Sequence, residues 1–323
     1  MAEISEKLQK MVDSLLKGER AALARAITAV ENSTADSRHI LKAIQPQLGR
    51  ALVVGFTGPP GAGKSTLINA YVTELRKRSK SVAVLAVDPS SPVSGGAILG
   101  DRIRMSEHTN DPEVFVRSLA SRGHLGGLSR MAARVVDVMD AAGRDVVVIE
   151  TVGTGQSEVE VAEVAGTKVV ISAPSLGDGV QAIKAGILEI ADILVVNKFD
   201  LPHAQETKAE LKSMLHLREK SDWTIPVIGT TATTFSGLEE LADAVEQHDA
   251  TLRGSRERID PRARTRKVLA ETLANFIEDQ LMESNNPDLL EILDALQSGE
   301  LDFEEAGRKV LESGLLSGER VSS

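Results

Sequence analysis

The rhythm of apolar positions in this chain changes near residue 50. Before it, Leu8, Val12, Leu15 and Leu16 recur at the spacing of one helical face, and Leu23, Ala26, Ile27 and Val30 mark a second. Asn32-Ser33-Thr34 breaks the pattern, and a third short helix is predicted toward Ile44. From Ala51 the apolar residues come in short solid runs: Ala51–Phe56, Val82–Val87, Val146–Ile149, Val169–Ala173, Ile193–Val196 and Pro226–Ile228. A strand covered on both faces reads this way, because neither face meets water. Between most of these runs the period is helical, at Leu67–Arg78, Leu128–Ala142, Val180–Glu189 and Leu238–His248. The alternation predicts an α/β fold with a mostly parallel, doubly wound sheet, whose ligands bind at the carboxyl ends of the strands.

Gly254–Pro261, charged and proline-bearing, reads as a linker. Beyond it, Val268, Leu269, Leu273, Phe276, Ile277 and Leu281 form an amphipathic stripe, followed by helical patterns at Leu289–Leu296 and about Phe303–Leu311. The expected organisation is therefore an N-terminal helical segment (1–48), a nucleotide-binding domain (49–253) and a C-terminal helical arm (254–323) suited to packing or dimerisation.

Composition narrows the function. Hydrophobic residues make up 42% but aromatics only 2%, so the core is aliphatic. A net charge of −10 with no broad basic face argues against nucleic acid as a partner. With no cysteine there are no disulfides or thiolate metal sites, and the six histidines lack ligand spacing. No apolar run approaches the ~20 residues that span a bilayer. Met1 to Lys10 is mixed in charge without an apolar stretch, so a cytoplasmic protein without a signal peptide is expected.

The strongest chemical signal is Gly58-Pro59-Pro60-Gly61-Ala62-Gly63-Lys64-Ser65-Thr66, directly after an apolar run and before a helical one. The glycines let the backbone curl so that its N–H groups face phosphate oxygens, and the helix start adds its positive end. Lys64 is placed to bridge the β- and γ-phosphates, Ser65 to ligate Mg²⁺, and Thr66 to lie near the α-phosphate. A fortuitous glycine-rich turn would lack the flanking strand and helix.

Asn197-Lys198-Phe199-Asp200 follows the run Ile193–Val196. A carboxylate at Asp200 accepts both N1–H and the 2-amino group of guanine, donors that adenine lacks. Asn197 is placed to donate toward the base edge and the Lys198 stem to pack on the ring. Alone, four letters of this kind also fit a surface turn; after a phosphate loop they point to a guanine nucleotide, GTP or GDP. The next strand ends in Gly229-Thr230-Thr231-Ala232-Thr233, where backbone N–H groups near Ala232 are placed to meet the guanine O6.

Asp88 ends the second run and opens a loop rich in turn residues that continues through Gly95-Gly96 to Asp101. Asp88 and Asp101 are candidates for holding Mg²⁺ or the attacking water, although Asp101 also reads as a helix N-cap. Val146–Ile149 leads into Glu150-Thr151-Val152-Gly153, with Glu150 facing the metal, directly or through water, and Gly153 donating to the γ-phosphate. Thr154 follows where a water-orienting glutamine would be useful, and Gln156 lies two further on, so slow intrinsic hydrolysis is expected.

These motifs, with Val87-Asp88-Pro89-Ser90-Ser91-Pro92, Gly95 to Met105, Glu150 to Glu158 and the run Gly177 to Ile187, resemble the MeaB/ArgK group over roughly residues 15–280. The resemblance implies a dimeric GTPase chaperone of an adenosylcobalamin-dependent acyl-CoA mutase, gating cofactor loading and helping eject damaged cofactor. It also implies that Asp88, Asp101 and Glu150 serve Mg²⁺ and hydrolysis. Ser175 to Lys184, with Asp178, Gln181 and Lys184, would then relay nucleotide state to the mutase. The resemblance implies methylmalonyl-CoA mutase or a related 2-hydroxyacyl- or isobutyryl-type enzyme as partner. The composition of Ala173 to Gly179, which departs from the family's common form, points to a mutase other than the methylmalonyl one, such as one acting on a branched or hydroxylated acyl-CoA. Two other readings compete. A P-loop kinase or transport-linked ATPase would leave Asn197 and Asp200 unexplained, and a static assembly protein would not turn GTP over.

Overall fold

In the computed structural model of the chain, residues 5–89, 108, 110–121, 127–151, 164–174, 189–215 and 223–254 are described, together with 269–270, 273–274, 277, 280–282, 284 and 286–313. They divide into two compact units, Met1–Ser255 and Arg256–Ser323.

Among its described residues the first unit is built on seven strands: β1 (Leu52–Thr57), β2 (Val82–Pro89), β3 (Val114–Ser121), β4 (Val146–Thr151), β5 (Thr167–Ser172), β6 (Ile193–Val196) and β7 (Val227–Gly229). All pair in parallel, in the order β3-β2-β4-β1-β5-β6-β7. The chain leaves β1 toward one edge, returns to lay β4 beside it, and then crosses to place β5 on its other side. β1 is thus the point where strand order reverses, the place where a crevice opens above an open α/β sheet.

Alternation along each strand sorts its residues between two apolar layers. Leu52, Val54 and Phe56 of β1 join Val146 and Val148 of β4 in one core, covered by α4 (Lys64–Lys77) and the last helix of the unit, α7 (Leu238–Gly254). Val147 and Ile149 face the other way. They pack with α1 (Glu6–Leu16), α2 (Arg20–Glu31), α3 (Ala35–Ile44) and α5 (Gly127–Ala141), so the N-terminal helices form one wall of the sheet's second core. α6 (Ala204–Leu215) closes a smaller cluster over β5, β6 and β7. Asp140, buried at the end of α5, accepts the backbone N–H groups of Gly49 (2.5 Å), Arg50 (3.1 Å) and Ala51 (2.7 Å), which fixes the chain's entry into β1.

β3 and α6 have no counterpart among the runs read from the sequence. β3 is an edge strand paired only with β2, and Arg117 within it ion-pairs with Glu31 of α2, so its pattern is broken by polar residues. α6 buries only Ala204, Thr207 and Leu211, too few for a clear apolar face. The predicted helix Val180–Glu189 lies, but for Glu189, outside the described residues.

At the amino ends of β5 and β6 sits a polar cluster away from the crevice. The His248 Nδ1 meets the Thr167 hydroxyl at 2.9 Å, its Nε2 lies 3.7 Å from Asp192, and its ring is 4.9 Å from that of Trp223. Burial holds the His248 imidazole below its ordinary value, with Asp192 pulling it up and Lys168 pushing it down. The folded state therefore favours neutral His248 more than the unfolded chain does. Its contribution to stability is fully present above the unfolded value of about 6.5 and is lost as pH falls below that toward the folded value. Between about pH 7.5 and about pH 5.5, urea unfolding followed by the fluorescence of Trp223, the sole tryptophan, is expected to show a smaller loss of stability in His248→Gln than in the unaltered protein. Equal losses would remove His248 as the source.

In the second unit, α8 (Pro287–Ser298) opens with the Asn286 side chain accepting from Asp288 N at 3.0 Å, and ends at Gly299 with φ +80°. α9 (Phe303–Glu312) starts with a reciprocal cap between Asp302 and Glu305. Leu289, Ala306 and Val310 are buried, while Leu290, Leu293, Phe303 and Leu311 are exposed. Among the described residues no helix is long and apolar enough to cross a membrane.

Candidate functional site

β1 ends at Thr57 and α4 begins at Lys64, so the glycine-rich segment is the turn between them, at the strand-order reversal. Gly58 (φ +150°), Gly61 (φ +81°) and Gly63 (φ +84°) all have positive φ. A Cβ on Gly58 would lie 2.2 Å from the backbone oxygen of Ile171 in β5, so the loop runs against the sheet itself. Pro59 and Pro60 cross the top, Ala62 is buried beneath, and Thr66 is exposed on the first turn of α4.

Lys64 is buried, with its ammonium donating to the carbonyls of Gly58 (2.6 Å) and Pro59 (3.2 Å). The cation is therefore held over the loop whose N–H groups are built to meet phosphate. One residue on, the Ser65 hydroxyl donates to the Glu150 carboxylate at 2.5 Å, joining α4 to the end of β4. A hydroxyl and a carboxylate so close form a hard-oxygen donor set that suits Mg²⁺, which takes one or two protein oxygens and completes its shell with phosphate and water. Among the described residues no group of three or more His, Cys, Asp or Glu gathers to hold a metal. The backbone of Asp88 lies in β2; Asp101, Gly153, Asp178, Gln181 and Lys184 fall outside the described residues.

The base-side loops come from β6 and β7. Asn197 is buried, and its N–H donates to Ser172 O at 2.8 Å. Its side-chain Nδ2 donates to Ala62 O at 2.9 Å and more weakly to Gly63 O at 3.5 Å, while its Oδ1 accepts from the Thr230 hydroxyl at 3.2 Å. The amide that the sequence points at the base edge is thus engaged within the protein, clamping the phosphate loop to both base-side loops. Lys198 takes φ +55° and reaches back to donate to Gly61 O at 2.9 Å, which lays its stem along the crevice. Asp200 is exposed at the following turn, its carboxylate open to a ligand. Thr231 and Ala232 are buried at the start of a 3-10 turn (Ala232–Thr234) and Thr233 is exposed.

Two features of this site carry no signal in the sequence. Thr230, fully buried, links to Asn197 across 33 residues of chain. Gly237 (φ +75°) lets the 3-10 turn fold back, since a Cβ there would lie 2.2 Å from Gly229 O.

The sequence profile of the family described as methylmalonyl Co-A mutase-associated GTPase MeaB matches residues 23–286. GTPase ArgK of Escherichia coli is 41% identical over 257 residues, 77% of this chain and 78% of that protein. The mitochondrial methylmalonic aciduria type A homolog of Mus musculus is 34% identical, the match covering 98% of this chain and 79% of that one. A solved structure titled LAO/AO transport system kinase superposes with a TM-score of 0.72 at 30% identity, over 97% of this chain and 99% of the other.

Proposed function

The chain belongs to the MeaB family of methylmalonyl-CoA mutase-associated GTPases and is a GTPase, and from that premise we propose that its hydrolysis gates adenosylcobalamin loading into an acyl-CoA mutase and protects or reactivates that enzyme. The observation that carries the nucleotide half is the Asn197 clamp, which makes phosphate loop and base-side loops one rigid receptor. The mutase half is supported by the family's description and by the relative named for methylmalonic aciduria.

In this reading the N–H groups of Gly58 to Thr66 and the ammonium of Lys64 hold the β- and γ-phosphates. Asp200 reads the N1–H and 2-amino edge of guanine, the Lys198 stem flanks the ring, and Thr231 to Thr233 close on O6. Ser65 holds Mg²⁺ with Glu150 beside it, and Asp88 and Asp101 complete the acidic set. An ion held by these residues would supply positive charge beside the phosphates. Gly153 donates to the γ-phosphate, and Asp178, Gln181 and Lys184 answer to the mutase. The exposed apolar residues of α8 and α9 support a homodimer formed through the C-terminal arm.

The sequence places Thr154, not a glutamine, directly after Gly153, and slow intrinsic hydrolysis is expected on that ground. Phosphate release from GTP is expected to accelerate at least about tenfold when an adenosylcobalamin-dependent acyl-CoA mutase from the same source is added, because a partner that orders the site supplies the missing stabilisation. An unchanged rate with every such mutase of that source would overturn the gating role and leave the GTPase standing.

A further inference from the structure

Phe199 occupies the variable position between Lys198 and Asp200, and its ring lies against Gly229, the last residue of β7. A Cβ built on Gly229 would fall 2.7 Å from both Cγ and Cδ2 of Phe199 and 2.8 Å from Cδ1. Gly229 is not among the glycines of positive φ, so its backbone would accept any residue. The closeness of the ring is reason enough for glycine there. Three further bonds run between the same two segments: Phe199 N–H to Thr230 O (3.0 Å), Thr230 N–H to Val196 O (2.8 Å), and the Thr230 hydroxyl to Asn197 Oδ1 (3.2 Å). The ring is half-buried, packs on the α6-side cluster, and carries the Lys208 ammonium 5.4 Å from its centroid.

We propose that Phe199 is a positioning residue for base discrimination: its ring, seated on Gly229, fixes the height and direction of the Asp200 carboxylate relative to the loop Thr231 to Thr233. This rests on the guanine-reading role of Asp200 and adds what holds that residue in register. Asp200 itself is exposed in a turn. A bidentate contact tolerates little displacement, so an exposed carboxylate that discriminates must be fixed from below. The residue immediately before it supplies that fixture, anchored to a strand end through a contact with no compressible gap.

The test compares GTP with ITP, which lacks only the 2-amino group. A hydrogen bond to a charged group sets the expected preference of the unaltered protein for GTP at about tenfold to a hundredfold. In Phe199→Ala the GTP-to-ITP affinity ratio is expected to fall by about tenfold: both nucleotides lose the N1–H contact with a displaced carboxylate, and GTP alone also loses the contact of its 2-amino group. Gly229→Ala, which drives a methyl into the ring, is expected to lower the ratio similarly. Combining the two is expected to be no worse than Phe199→Ala alone, because the methyl then enters space the ring has left. Phe199→Leu gives a milder step, and provides the readout if the alanine variant does not fold.

GTP and ITP weakening by the same factor would show only general loosening and would overturn the positioning role, as would additive effects in the double variant. Asp200→Asn is the separate check on the reading beneath. Its amide should shift preference from guanine toward xanthine, which presents a carbonyl where guanine has the amino group. A failure of that shift would sink base reading by Asp200 itself, whereas a shift with an unmoved Phe199→Ala ratio would sink only the positioning role.

Discussion

Replacing Lys64 with alanine is expected to lower GTP hydrolysis by at least about a hundredfold, the cost of deleting one preorganised charge donor aimed at a transition state. The lysine is poised for this role by burial. The side chain is buried, and its ammonium donates to the carbonyls of Gly58 and Pro59 at 2.6 and 3.2 Å. Phosphate oxygens carry negative charge, and a charge-assisted bond to them is stronger than one to a carbonyl. The same geometry predicts a side effect. Without the ammonium the two carbonyls lose their donor, so Lys64→Ala should also melt at a somewhat lower temperature when free of nucleotide. Lys64→Met retains the apolar stem and separates the effects. Phosphate release, nucleotide affinity and thermal melting are measured on both variants. Hydrolysis within a few-fold of normal in both would remove Lys64 from the chemistry.

The legible parts of this molecule are those where one stretch of chain determines the outcome. β1, β4 and β6 lie inside the sheet with helices on both sides, so each appears as an unbroken apolar run, found within a residue or two of its position. The phosphate loop is legible for a related reason: its chemistry is made by consecutive backbone N–H groups, which demand glycines at fixed offsets. β3 was hidden because it is the edge strand of the sheet and its apolar residues are interrupted by Arg117, which pairs with Glu31, and α6 because it buries only Ala204, Thr207 and Leu211. Asn197 shows the same limit at the site. Its place in the motif was visible, but the direction of its amide depends on Ala62 and Thr230, which approach it only after the four strands β1, β5, β6 and β7 have paired. The contact between Phe199 and Gly229 was invisible for the same reason, since neither residue is unusual until the other lies against it.

Gly58→Ala is expected to be the most damaging single methyl that can be added near the site. At φ +150° an alanine is already strained, and its Cβ would stand 2.2 Å from Ile171 O, 3.1 Å from the carbonyl carbon and 3.3 Å from Cα. Those atoms belong to β5, paired with β1 on one side and β6 on the other, so the obstacle has no soft direction in which to yield. The loop must move instead, and it carries the Gly58 carbonyl away from Lys64 and turns the following N–H groups off their common focus. Overpacking plus strain amounts to about 3 kcal/mol, which lowers the melting temperature by roughly 6–12 °C for a unit of this size. Guanine nucleotide affinity should fall by about a hundredfold or more as the receptor loses its shape. Gly143→Ala separates strain from collision. Its φ of +78° is also positive, but nothing lies within 4 Å of the added methyl and the residue is remote from the loop. That variant should lose only about 1 kcal/mol and bind nucleotide normally. Calorimetry and nucleotide titration on the pair decide the matter: similar behaviour of the two variants would mean that conformational strain, and not the contact with β5, is what glycine relieves at position 58.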